Sequence, residues 1–555
     1  MTDTTTPQGI PEPEGISANI ETDYEIGQNN IEGSVGPFGF DVHNPVFLVS
    51  GITVVAFVFY TLALPEHSGA LFSYLFGVVT KTFDWFFLGS ANVFVLFCLL
   101  LIVTPWGNVR LGGAEAAPDY GYPAWFAMLF AAGMGIGLMF YGVSEPLSHY
   151  STAFGGPATD EAGLRTDWSP LAGAADNQAE AVRMGMAATI FHWGLHPWAI
   201  YAVVALALAL FTYNKGLPLT IRSAFYPILG ERVWGWPGHV IDTLAVFATL
   251  FGLATSLGFG ATQANAGLNE LFGVPLGSTT EVVLISVITA VALVSVLRGL
   301  DGGVKVLSEI NMGLAFLLLL FVLLVGPTLY LLTLFWDSLV AYLTYLPALS
   351  NPIAREDVNF SQGWTSFYWA WWISWSPFVG MFIARVSRGR TVREFVVCVL
   401  LIPSLVCVLW MTVFGGTAIN QVLADGYTAA QDAPLELKLF KMLDELPLAG
   451  ITSLIGIILV VVFFVTSSDS GSLVIDTITA GGKIDAPVPQ RVFWCIFEGA
   501  VAIVLLLSAG GLQSLQSMVI STGLPFTVVL LVMCVAIAMG LSEERKVTKD
   551  AVAAE

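Results

Sequence analysis

Charge is what this sequence has least of. Only 11% of its 555 residues are charged, against about a quarter in soluble domains, while 56% are hydrophobic and mean hydropathy is +0.77. That excludes an ordinary soluble enzyme. It also excludes a disordered chain, which is poor in apolar residues. Basic residues are scarcer still: 21 Lys and Arg against 41 Asp and Glu leave a formal charge of -20, so no basic stripe exists for nucleic acid. Cysteine is scarce too. Cys98, Cys398, Cys407, Cys495 and Cys534 lie scattered in apolar runs without metal-ligand spacing, so they read as small buried hydrophobes. Neither Lys nor Arg occurs in residues 1–45, which hold eight acids among Pro, Gly, Thr and Asn. No signal peptide is expected there; the segment predicts an acidic, disordered cytoplasmic tail.

What is present is apolar sequence in runs of about twenty, the length a helix needs to cross about 30 Å of hydrocarbon. Twelve candidate spans fall near 46–64, 86–104, 122–142, 183–212, 237–262, 279–298, 310–335, 363–386, 393–419, 449–472, 492–510 and 518–541. Gly299-Leu300-Asp301-Gly302-Gly303 predicts a turn, and Ile221–Leu229 and Asp337–Leu349 predict amphipathic, interfacial pieces. With the N-terminus inside, fifteen of the 21 basic residues fall in inner loops, which predicts that both termini are cytoplasmic. The polar segments Ser151–Glu180 and Asn420–Leu446 then face outward.

Three spans are interrupted by unusual chemistry. Phe130-Ala131-Ala132-Gly133-Met134-Gly135-Ile136-Gly137 places three glycines at alternating positions, each costing a helix about 1 kcal/mol. Such a run suits either close helix packing or an unwound segment whose backbone lines a cavity. The eighth span carries Trp369, Trp371, Trp372 and Trp375 at its centre rather than in an interfacial belt, and Pro377 predicts a second break. Span four adds Trp193, Trp198 and Tyr201. Such rings either pack helices together or form a box for a quaternary ammonium group, each face contributing about 0.5–1 kcal/mol and 2 or more when dry. Thr466-Ser467-Ser468-Asp469-Ser470 ends span ten with oxygens that suit a hard cation, although Asp469 is expected to pair with Arg385 or Arg388. His192 and His196 share a helix face at metal-ligand spacing, but no third ligand accompanies them in the sequence; Glu145 and Glu498 are embedded acids without an assignable partner.

At these residues the chain resembles the betaine/choline/carnitine transporter family, and within it the sodium-coupled glycine betaine symporters. The likeness rests on Phe130–Tyr141 (FAAGMGIGLMFY), Phe191–Tyr201 (FHWGLHPWAIY), Phe367–Arg390 (FYWAWWISWSPFVGMFIARVSRGR), Phe414–Ile419 (FGGTAI) and Phe463–Ser470 (FFVTSSDS). It implies an all-α polytopic membrane protein of twelve transmembrane helices, with two inverted, LeuT-like five-helix repeats after two extra helices. The implied division is a tail at 1–45, extra helices at 46–121, a first repeat at 122–335, an amphipathic connection at 336–362, a second repeat at 363–541 and a short tail at 542–555.

Carried over by resemblance, Trp371, Trp372 and Trp375 with Trp193, Trp198 and Tyr201 would hold the substrate's ammonium group, and Gly133 and Gly135 would approach its carboxylate. Ala131, Met134, Phe463, Thr466 and Ser467 would bind sodium, here a coupling ion rather than a cofactor. A second sodium site would draw on Thr249 and Phe378, but Leu253 stands where the family pattern has a threonine; Thr255 and Ser256 are possible substitutes. The short basic end, Arg545, Lys546 and Lys549, departs from the long basic helix of osmosensing members.

The expectation is therefore a sodium-driven importer of a zwitterionic compatible solute, glycine betaine first, acting as a homotrimer in the plasma membrane of a prokaryote. Choline, carnitine, ectoine or dimethylsulfoniopropionate could occupy the same box, and sodium-independent exchange is the rival mechanism. A membrane sensor or embedded enzyme is the remote alternative; no nucleophile–base pair supports an enzyme.

Overall fold

A computed structural model describes residues 11–36, 38–298 and 304–554. Fifteen helices of twelve residues or more account for most of them. A hairpin, β1 (Asn30–Val35) and β2 (Phe38–His43), precedes α1 (Val46–Ala63) and α2 (Pro65–Val103). The broken third span is α3 (Tyr122–Gly133) and α4 (Ile136–Gly155); the fourth is α5 (Gln178–Trp193) and α6 (Leu195–Ala209). Then come α7 (Trp236–Phe272), α8 (Ser278–Arg298), α9 (Val304–Val325), α10 (Thr328–Leu349), α11 (Ser366–Val386), α12 (Val392–Ala424), α13 (Ala449–Thr479), α14 (Val488–Leu507) and α15 (Leu512–Ala554). The turn expected at 299–303 lies outside the described residues.

Eleven helical stretches are long and apolar enough to cross a membrane, or up to twelve with the bent α3–α4 pair counted as one span. The chain is an all-α polytopic membrane protein apart from the hairpin. Membership of the set differs from the sequence expectation in one respect. Gly326-Pro327 ends α9, so residues 328–335 join 336–349 in one continuous helix, α10, instead of completing span seven. Conversely α11 is absent from the eleven. Its tryptophans and serines lower its hydropathy, and it tolerates them because nearly every side chain is buried in protein rather than facing lipid.

The glycine run does break its span. Met134 and Gly135 are extended, and α4 leaves α3 at 66°. The break expected at Pro377 is absent, because α11 runs unbroken from Ser366 to Val386. The carbonyl of Ile373, left without its backbone donor by the proline, accepts the Ser376 hydroxyl at 2.6 Å. A break not foreseen separates α5 from α6 at Gly194, whose ψ of -126° is non-helical.

The acidic tail is not disordered from residue 11 onward. It forms a strap across the end of the molecule that carries both termini. Glu14 pairs with Arg388 at 2.6 Å, and Glu32 with Lys483 at 3.1 Å. Ser17 Oγ donates to the Asn214 carbonyl at 2.7 Å, and Ala18 N–H to Glu544 Oε1 at 3.0 Å. Tyr24 stacks on Trp234 at 4.2 Å. The acids that composition assigned to solvent meet the basic residues assigned to the inner loops, and that pairing offsets the ordering entropy.

His43 ends the strap fully buried, its Nε2 3.2 Å from Arg222 Nη2, a contact that requires a neutral imidazole. Burial, with the Arg222 charge beside it, pushes the ring from its ordinary 6.5 down to about 3. The released imidazole therefore binds a proton more readily than the docked one. Docking is fully favoured above pH 6.5 and weakens as pH falls toward 3. Limited proteolysis of residues 11–45 should accelerate between pH 7 and 5, and His43→Gln should remove that dependence.

Candidate functional site

The break between α3 and α4 opens on a cavity of about 800 Å³. Its walls carry Gly133, Gly135, Trp193, Trp198, Tyr201, Trp371, Trp372 and Trp375, all eight residues assigned to the substrate by the sequence. Ala131, Met134, Phe463, Thr466 and Ser467, assigned to sodium, line the same cavity, as does Phe378. Thr249 does not line it. Its hydroxyl donates to the Ala245 carbonyl at 2.7 Å inside α7, and Leu253 supplies only a hydrocarbon contact to Gly471. Of the second sodium pair, Phe378 thus lines the cavity and Thr249 does not. Of the substitutes, Thr255 bonds the carbonyls of Phe251 and Leu515, while Ser256 reaches the cavity.

Trp193, Trp372 and Trp375 are held by their polar edges, so their faces are not free to turn. Trp372 Nε1 donates to the His192 carbonyl at 2.8 Å. Trp375 Nε1 donates to the Gly252 carbonyl and to Ser256 Oγ, each at 3.0 Å. Trp193 Nε1 donates to Glu145 Oε2 at 2.7 Å. Trp371 stacks on Trp372 with centroids 4.8 Å apart, and Trp193 meets Trp372 edge-on at 4.9 Å. Trp198 and Tyr201 form a second T-shaped pair at 5.3 Å. Trp371 Nε1 is buried without a partner beside this cavity, a spare donor for an anionic group. Fixed ring faces with few cations among them suit a positive group lacking its own N–H.

Glycine in the first turn of α4 is required by these rings. A methyl built on Gly137 would stand 2.9 Å from Trp193 and 3.0 Å from Trp371, whereas one on Gly135 meets nothing within 4 Å. Overpacking at Gly137 costs about 1–3 kcal/mol. Gly137→Ala should therefore weaken ligand binding about tenfold or more, measured by titration, with Gly135→Ala much milder.

Across the cavity, Thr466 Oγ1 donates to the Val462 carbonyl at 3.0 Å, which spends its proton on the helix and leaves oxygen lone pairs outward. Residues of the break and Thr466 line one cavity, and carbonyls with a hydroxyl are the donor type a hard monovalent cation prefers. Asp469 does not join them, nor does it pair with Arg385 or Arg388. Its Oδ2 accepts Ser295 Oγ at 3.2 Å, while Arg388 pairs with Glu14 and Asp119. The cavity continues past Glu309, Arg385 and Leu473 toward the end carrying the termini.

On the opposite side the rings are closed over by a polar layer that sequence reading missed. Buried Glu145 accepts Trp193 Nε1, Tyr368 OH at 2.5 Å, His192 Nδ1 at 2.6 Å and His149 Nε2 at 3.1 Å. His196, expected beside His192, turns away to Asn92 Oδ1 at 2.9 Å and stacks on Trp369. The one local signal was the spacing of four between Glu145 and His149; His192 lies 47 residues from Glu145 and comes near only through folding. Glu498, the other unassigned acid, accepts Ser468 Oγ at 3.0 Å. Beyond the layer is a second cavity of about 380 Å³, lined in part by His149, Trp364 and Phe367.

Comparisons with known proteins agree with this architecture. The sequence profile of the betaine/carnitine/choline transporter family matches residues 45–546. A glycine betaine/proline/choline transporter of Vibrio parahaemolyticus is 64% identical over 544 residues, covering 98% of each chain. A glycine betaine transporter of the same organism is 54% identical, over 95% of this chain and 98% of its own. One from Bacillus subtilis is 44% identical, over 85% of this chain and 89% of its own.

Proposed function

The chain belongs to the betaine/carnitine/choline family of transporters, and from that membership we propose that it imports glycine betaine together with sodium. Transport, rather than catalysis, is what the family and the relatives share. The observation that carries the substrate is the set of edge-anchored tryptophans around a cavity of about 800 Å³. A trimethylammonium group offers no proton to a carbonyl but is attracted by a ring face, so it fits these walls better than a primary amine does. The carboxylate of the same zwitterion would take the spare Trp371 N–H. Choline and proline, which appear in the name of one relative, are secondary substrates on this reading; carnitine, ectoine and dimethylsulfoniopropionate rank below them.

Sodium would sit among the backbone oxygens of Ala131, Met134 and Phe463 and the hydroxyls of Thr466 and Ser467, joining the break in one half to α13 in the other. Its binding would hold the rings in the substrate-competent arrangement. With a neutral zwitterion, each sodium carries one net charge inward, and 100 mV then supplies about 2.3 kcal/mol, roughly fiftyfold accumulation. The cavity's opening toward the termini corresponds to the releasing state, both termini being cytoplasmic in a prokaryotic plasma membrane. A homotrimer would use α10, whose Leu329, Trp336, Val340 and Leu343 form an exposed apolar face.

Quenching of tryptophan fluorescence in the purified protein tests the substrate. Glycine betaine should give a saturable signal, displaced more readily by choline and proline than by ectoine. No saturable signal with any quaternary ammonium compound would overturn the assignment.

A further inference from the structure

The polar layer over the rings holds a set of ligand atoms that substrate binding does not use. Glu145, His149 and His192 each offer one ligand atom, all within 4.8 Å of one another, and all three residues are buried. Oε1 is 3.1 Å from the His149 nitrogen and 2.6 Å from that of His192. Two imidazoles and one carboxylate form the donor set that Zn2+ and similar divalent ions favour. Ligands on a tetrahedral ion of that class stand about 3.3 Å apart, so each imidazole nitrogen needs to draw back from Oε1 by less than about 1 Å to admit one.

The carboxylate is divided in a way that favours an ion. Oε2 holds Trp193 and Tyr368, so a metal on Oε1 would leave both of those bonds intact. His192 Nε2 lies 3.0 Å from Thr365 Oγ1, an oxygen that can take the ring N–H and leave Nδ1 bare for metal, as the outer neighbours of metal-bound histidines do. Access is from one side. His149 lines the cavity of about 380 Å³ beyond the rings, on the face away from the termini.

We propose that Glu145, His149 and His192 form an inhibitory site for a Zn2+-class divalent cation admitted from that outer cavity. The ion would tie α4 to α5 beside Trp193 and stop the closed layer from opening. The blockade rests on the transport reading above; the binding itself does not.

Two measurements on the full-length protein separate them. In the first, the purified protein is titrated with Co2+, which absorbs visible light strongly in a tetrahedral site. One Co2+ per chain is expected, displaced by Zn2+ and weakened at least tenfold in His149→Gln. In the second, glycine betaine uptake into proteoliposomes is measured with external Zn2+. At least tenfold slowing is expected, reversed by a chelator and absent in His149→Gln when each protein is compared with its own uptake without metal. Should His149→Gln fold poorly, His149→Asn serves in both. No Co2+ band in the parent, or a band of equal affinity in both His149 variants, would overturn the site. A band that depends on His149, in a protein that takes up no betaine, would keep the site and reject the transport reading.

Discussion

Replacing Trp372 with leucine is expected to weaken glycine betaine binding about thirtyfold, while Trp372→Phe loses only a fewfold. A desolvated ring face contributes about 2 kcal/mol to a bound cation, and 1.4 kcal/mol corresponds to a factor of ten. Trp372 is the ring where the two halves of the site meet. It stacks on Trp371, meets Trp193 edge-on, and is tied to the His192 carbonyl by its own N–H at 2.8 Å. Leucine removes both face and tie; phenylalanine keeps a face and loses the tie. The comparison therefore separates recognition of charge from fixing of the ring. Fluorescence or calorimetric titration of both variants, with the yield of folded protein as control, reads the difference. Equal weakening in the two would mean that the hydrogen bond, not the face, matters. The same logic gives Trp375→Leu a large loss, since its N–H is shared between Gly252 and Ser256.

The second large effect is expected at Thr466. Thr466→Ala should raise the sodium concentration for half-maximal uptake about tenfold or more, and Thr466→Ser should restore it. Losing one charge–dipole contact costs about 1.5–3 kcal/mol, which corresponds to a factor of roughly ten to a hundred. The hydroxyl already donates to the Val462 carbonyl at 3.0 Å, so serine can repeat that bond and present the same lone pairs. Alanine cannot. Betaine affinity at saturating sodium should change little, because the Thr466 hydroxyl bonds carbonyls of its own helix and none of the tryptophans of the box. A shift in betaine affinity with unchanged sodium dependence would place the ion elsewhere.

Much of this site was legible before any fold was known, because its elements are local in sequence. Three alternating glycines admit a break as well as close packing, and four tryptophans within seven residues admit a box as well as helix packing; the fold adds the break and the common cavity that these residues line. Pro377 misled for the converse reason. A proline is a local signal, and so is its remedy, but the Ser376 hydroxyl one residue earlier is seen as a remedy only once its 2.6 Å bond to Ile373 is measured. The strap was misread through composition, since eight acids look solvated until Arg388 and Lys483 are found opposite them. Glu145 was left without a partner because, His149 apart, its donors come from α5 and α11, far away in the chain. Hydropathy under-ranks α11, which the pattern of spans nevertheless found, because its tryptophans and serines face protein rather than lipid.

The central claim is that sodium and a trimethylammonium zwitterion cross together through one cavity. Uptake of labelled glycine betaine into proteoliposomes of the full-length protein, under an imposed inward sodium gradient or an equal potassium gradient, tests it most directly. Concentrative uptake with sodium, collapsing to passive leak with potassium and rising when the interior is made negative, is the predicted result. Uptake of equal rate and extent in potassium alone would contradict it.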